Sequence, residues 1–177
     1  MKNNNEIKEI LNVIQNGGES FNKDLEAKIL GYNNPRLSYY FVLDNKEANV
    51  LEHGNVVINS GNEKWNYEFA KKIKGADVLA HGVVIINKGH PMWNFLFAKD
   101  VKGANVKAHE EAVIASGDAL WCYKFAQEIK GANIDVLEEV VMSDSNHLWG
   151  DFFTKNVKER RETLGLRRIL TKRNKKK

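Results

Sequence analysis

The chain has 177 residues, 42% of them apolar and 28% charged, which suits one compact domain or a short repeat array and excludes a long disordered protein. Its formal net charge of +4 is unevenly held: residues 155–177 carry eleven Lys or Arg against two acids, a local +9, which leaves −5 for residues 1–154. A single cysteine, Cys122, excludes an intrachain disulfide and any zinc site built on paired thiolates; with neither a signal-peptide pattern nor a long apolar run, a reducing cytoplasm and no membrane partner are expected.

At the N-terminal end, Ile7, Ile10, Leu11 and Ile14 describe an amphipathic helix ending near Gly17-Gly18, and residues 1–19 are read as a cap on the array that follows. Residues 20–158 are a tandem repeat. Trp65, Trp93, Trp121 and Trp149, all the tryptophans of the chain, fall 28 residues apart, and so do Phe69, Phe97, Phe125 and Phe153. The same period links Ala48, Ala76, Ala104 and Ala132, then Gly61, Gly89 and Gly117, then Gly75, Gly103 and Gly131. A worn first copy has Leu37 and Phe41 in the Trp and Phe positions, and the last copy loses its glycines at Ser145 and Glu159. Degenerate end units are what a stacked array needs, because its ends face water.

Each unit reads as two short helices. Gly75, Gly103 and Gly131 sit beyond a helix end, where positive φ is required, and Asn49, Asp77, Asn105 and Asn133 supply N-caps for the first helix of the next unit. Asn62, Asp118 and Asn146 cap second helices, and Pro35 and Pro91, two repeat lengths apart, fall in a first helical turn. Trp121, Phe125, Ala126 and Ile129 recur at i, i+4, i+5 and i+8 and are expected to form the buried face of a second helix. Gly54, Gly82 and Val83-Val84-Ile85-Ile86 are poor helix material in the first helices. The expected fold is therefore all-α, an α/α solenoid of about five 28-residue helical hairpins with N- and C-terminal capping helices; the alternative is a β/α leucine-rich-like solenoid. Residues 159–177 are assigned to a C-terminal cap, interrupted at Gly165, and a basic tail.

His53, His81 and His109 form a ladder. Equivalent positions in stacked helices lie about 8–10 Å apart, too far for two ligands of one zinc, so these are read as core histidines and neither metal nor cofactor is expected. Two residues after the four Trp come Tyr67, Phe95, Tyr123 and Asp151, with Lys71, Lys99, Gln127 and Lys155 a turn beyond and Lys74, Lys102, Lys130 and Lys158 after them. With Trp and Phe inward, these residues are expected to form an outward band of aromatics and lysines, a candidate surface for nucleic-acid backbone or an acidic protein. Across the first helices, Glu52, Glu110, Glu111, Glu138 and Glu139 are expected to make an opposite, acidic side. The tail adds Arg167, Arg168, Lys172, Arg173, Lys175, Lys176 and Lys177, seven cations in the last eleven residues. No phosphate-binding loop, nucleophile elbow or zinc-protease motif is present, and catalysis is not expected.

The phrase SGDALWCYKFAQEIKGANI, with its variants SGNEKWNYEFAKKIKGADV and KGHPMWNFLFAKDVKGANV, resembles short tandem helical repeats of uncharacterised proteins from AT-rich bacteria and their phages. The resemblance spans about residues 48–158, carries no catalytic residues, and implies a small repeat protein of a mobile element that acts on a host or defence complex. The functional expectation is a non-enzymatic binding scaffold with a protein partner; RNA or DNA binding by the lysine and aromatic band with the basic tail is the alternative.

Overall fold

A computed structural model of the protein describes residues 4–15, 22–145 and 148–158. Those residues form eleven α-helices and one terminal π-helical turn, with no strand among them. The strand-bearing alternative is set aside. Helix α1 (Asn4–Gln15) is followed by five pairs: α2 (Lys23–Gly31) with α3 (Pro35–Asp44), α4 (Val50–Asn59) with α5 (Glu63–Lys72), α6 (Val78–Lys88) with α7 (Pro91–Asp100), α8 (Val106–Ala115) with α9 (Ala119–Glu128), and α10 (Ile134–Ser143) with α11 (Leu148–Phe153), which runs into the turn Thr154–Lys158. The first helices pack in one layer and the second helices in another. The tightest packing joins the second helix of one unit to the first helix of the next.

Backbone chemistry sets the unit boundaries. Side chains of Asn49, Asp77 and Asn105 accept from Glu52, Ala80 and Ala108 N–H, closing the starts of three first helices, and Asn62 and Asp118 do the same for two second helices. Asn133 makes no such side-chain cap, and Asn146 lies outside the described residues. Gly75, Gly103 and Gly131 have φ of 89°, 89° and 87°, a left-handed turn that a side chain would strain. Pro35 and Pro91 occupy the first turns of α3 and α7, where a missing N–H removes no helical bond. The valine-rich α6 is helical because Asp77 caps its start, Gly89 with φ of 71° closes its end and Ile85 is fully buried, so tertiary packing overrides weak propensity.

Two columns make the core. Phe41, Phe69, Phe97, Phe125 and Phe153 are wholly buried, as are Val57, Ile85, Val113 and Val141, with Ile29, across the first helices. Helix α1 packs on α3, burying Leu11 and Ile14 in the cluster that holds Leu37 and Phe41. Leu11 and Ile14 stand 28 residues before Tyr39 and Val42, both buried too, so α1 is a second helix without a first. The sequence segments 16–21 and 159–177, the latter with the expected closing helix and tail, lie outside the described residues.

Candidate binding surfaces

Residues two apart on a helix point about 200° apart, nearly opposite one another. On a second helix, Trp at one position and Tyr or Phe two positions later therefore face the two neighbouring units, and each joint pairs one with the other. Tyr39 meets Trp65, Tyr67 meets Trp93, Phe95 meets Trp121 and Tyr123 meets Trp149, with ring centroids 5.4–5.7 Å apart. Tyr67, Phe95 and Tyr123 are consequently 6%, 3% and 8% exposed, which corrects their expected outward place in a surface band. The tryptophans are half-buried at the flanks, while Phe alone points straight into the core. A helix inside a stack has two flanks besides its inner and outer faces, and the flanks take these rings.

The lysines of the band divide accordingly. Lys71 and Lys99, one turn after Tyr67 and Phe95, face the next unit and bridge to its acids: Lys71 Nζ lies 2.8 Å from Asp100 and Lys99 Nζ 2.6 Å from Glu128. Tyr67 donates its hydroxyl proton to the same Asp100 oxygen and accepts from Lys71. These donors hold the Asp100 carboxyl below the usual range, and burial foremost pushes the Tyr67 phenol up. Two lysines and all three aromatics of the expected band are thus spent on joining units. Lys74, Lys102 and Lys130 are exposed past the ends of the second helices, and Lys155 is exposed on the terminal turn. The Lys158 side chain and Arg167, Arg168, Lys172, Arg173, Lys175, Lys176 and Lys177 lie outside what the structure describes.

The histidine ladder is core, and it has partners that the sequence reading missed. Asn66 donates both amide protons to backbone carbonyls, of Val57 at 3.0 Å and Asn62 at 2.9 Å, so its Oδ1 is left to accept from His81 Nδ1 at 2.8 Å. Asn94 repeats this with Ile85, His90 and His109. The network assigns the Nδ1–H tautomer to both rings and leaves Nε2 without a hydrogen bond. Burial lowers both His81 and His109 to about 4. In the next unit Cys122 replaces Asn and Leu137 replaces His, an apolar pair in place of a polar one. That coordinated change at a constant spacing of fifteen residues was the available signal. Burial pushes the Cys122 thiol up to about 12, which makes it a hydrophobe and not a nucleophile.

Position 110 needs a second correction. Glu110 is 8% exposed, and its Oε1 accepts from Asn133 N–H at 2.6 Å, as Glu26 does from Asn49 at 2.6 Å. The residue after the ladder position faces the next unit, so a carboxylate there caps a neighbouring helix. His53, whose ring sits on Phe41, has Nε2 3.4 Å from Glu26 but out of hydrogen-bonding alignment. Among the described residues no three His, Cys, Asp or Glu side chains converge as a metal site, and no helix is long and apolar enough to cross a membrane.

Exposed large apolar side chains lie on second helices at Leu43, Leu148 and Phe152, and on the first helices they align one repeat apart. Leu51 of α4 and Leu79 of α6, one repeat apart, are 68% and 60% exposed, and Val83 a turn beyond Leu79 is 53% exposed. Beside them, between α6 and α8, runs a groove of about 380 Å³ lined by Ile86, Ala108, Glu111, Ala112 and Ala115. Glu111 and Glu139 are exposed on the same layer, with Lys107 3.9 Å from Glu111. No family model, curated protein or solved structure matches the chain.

Proposed function

We propose that the protein is a non-enzymatic scaffold that binds a protein partner through its layer of first helices. The observation carrying this reading is the exposed column of Leu51, Leu79 and Val83 beside an apolar groove. A large aliphatic side chain more than half exposed leaves most of its apolar surface in water, and three of them on one face favour an interaction surface there. The second-helix layer gives less room for a partner, since its aromatics and two of its lysines already join units. The resemblance to short helical-repeat proteins of phages directs the search for the partner to host and defence complexes.

The test is site-specific capture: the partner isolated with the parent chain should be lost from a Leu79→Asp/Val83→Asp variant and retained by Lys71→Ala and Lys99→Ala variants. The reverse pattern sinks this reading. Exposed Lys74, Lys102 and Lys130, with the basic tail, favour nucleic acid as a second reading. A salt series on RNA and DNA with the full chain distinguishes it. Binding that survives Leu79→Asp/Val83→Asp and vanishes when those three lysines become serine supports the second reading.

A further inference from the structure

The first joint of the array is built differently from the two that follow. In those, Lys71 and Lys99 cross to Asp100 and Glu128. The equivalent residues of the first joint are Leu43 and Lys72, which cannot pair. Lys72 instead pairs with Glu68 on its own helix, 3.1 Å away, and reaches across the joint only to the Tyr39 hydroxyl, while Leu43 is left 43% exposed. Where the bridge is missing, a groove of about 550 Å³ opens, within the range of ligand sites. Val42, Leu43, Val50 and Ile73 line it with apolar surface, and Lys46 and Lys74 supply two ammonium groups beside Lys72, whose own charge Glu68 already meets. Asp44 and Glu47 on the adjoining turn are exposed but do not line it.

We propose that this groove binds a short acidic segment of a partner protein that presents one branched apolar side chain. The apolar group covers Leu43 and Val50, and flanking carboxylates face Lys46 and Lys74, supplying the charge pairing that the next two joints make internally. The site is separate from the first-helix column and rests on a different observation. A nucleic-acid strand offers the charge without the apolar group, so the leucine dependence of binding separates the two.

The experiment uses the full chain and a fluorescein-labelled octapeptide of glutamates with one central leucine, beside the same peptide with serine for leucine and an eight-nucleotide oligo-dT. Leu43→Lys/Lys72→Asp rebuilds the bridge of the other joints and fills the groove; Lys46→Ser/Lys74→Ser removes only exposed charge and serves if the first variant does not fold. Expected are binding of the leucine peptide about tenfold or more tighter than the serine peptide, a loss of about tenfold or more in either double variant, and no change in Lys102→Ser at another joint. Equal affinity for both peptides, unchanged affinity in the double variants, an equal loss in Lys102→Ser, or tighter binding of oligo-dT to the same groove would each overturn the proposal.

Discussion

A histidine sealed in a core is stable there only while neutral, and His81 and His109 are 0% exposed with just one nitrogen of each ring partnered. Their folded-state value of about 4 lies below the ordinary 6.5, so the unfolded chain takes up protons first as pH falls. Stability should therefore be level above about pH 6.5 and fall between there and pH 4, by on the order of 3 kcal/mol for each ring. Urea midpoints across that range check this; a flat profile would show that the rings are not sealed. The neighbouring unit supplies the matching substitution. His109→Leu with Asn94→Cys, copying Leu137 and Cys122, should flatten part of the acid slope, whereas Asn94→Ala alone should cost roughly 1–3 kcal/mol by orphaning a buried Nδ1–H. A double-mutant cycle in denaturant separates the two.

At the level of a single helix, the glycines after two ladder histidines are not equivalent. A Cβ on Gly54 would sit 3.5 Å from its nearest neighbour, a Phe69 ring carbon, in ordinary contact, and alanine should gain up to about 1 kcal/mol of helix propensity. A Cβ on Gly82 would lie 3.2 Å from both His109 Nε2 and the Phe97 ring. Crowding there should cancel the gain, making Gly54→Ala more stabilising than Gly82→Ala by on the order of 1 kcal/mol in thermal unfolding. Helix ends, turn glycines, the prolines and the 28-residue period were readable from sequence because each depends on local backbone chemistry. The place of Tyr67, Phe95 and Tyr123 was not, because nothing local says that a helix has neighbours on both flanks. The bridges were recoverable in principle: Lys71 and Asp100, like Lys99 and Glu128, stand 29 residues apart, one repeat plus one. The pairs His81 with Asn66 and His109 with Asn94 keep an equally fixed offset.

On the largest scale, packing among the described residues is nearest-neighbour only, so damage should stay local. Phe97→Ala, which empties a fully buried site between α7 and the His109 ring, should cost about 3–5 kcal/mol. Trp93→Ala, at a half-buried flank, should cost on the order of half that. Amide exchange should rise around α5 to α8 in both while α10 keeps its protection relative to the global loss; uniform loss would mean the array folds as one indivisible core.

The partners that hold one unit to the next recur at the joints before and after the α6–α7 unit, and this makes the array editable there. Excising residues 78–105 would bring Asn66 fifteen positions before His109, Tyr67 opposite Trp121, Lys71 opposite Glu128, and Gly54 under the His109 ring. Each side chain loses one partner and acquires another of the same chemistry. The shortened chain should fold with unchanged helix content per residue by circular dichroism, and an insertion that repeats those residues should too. A gene carrying such a protein can change the span of its product by recombination between repeats, in steps of 28 residues, without any single substitution having to be repaired.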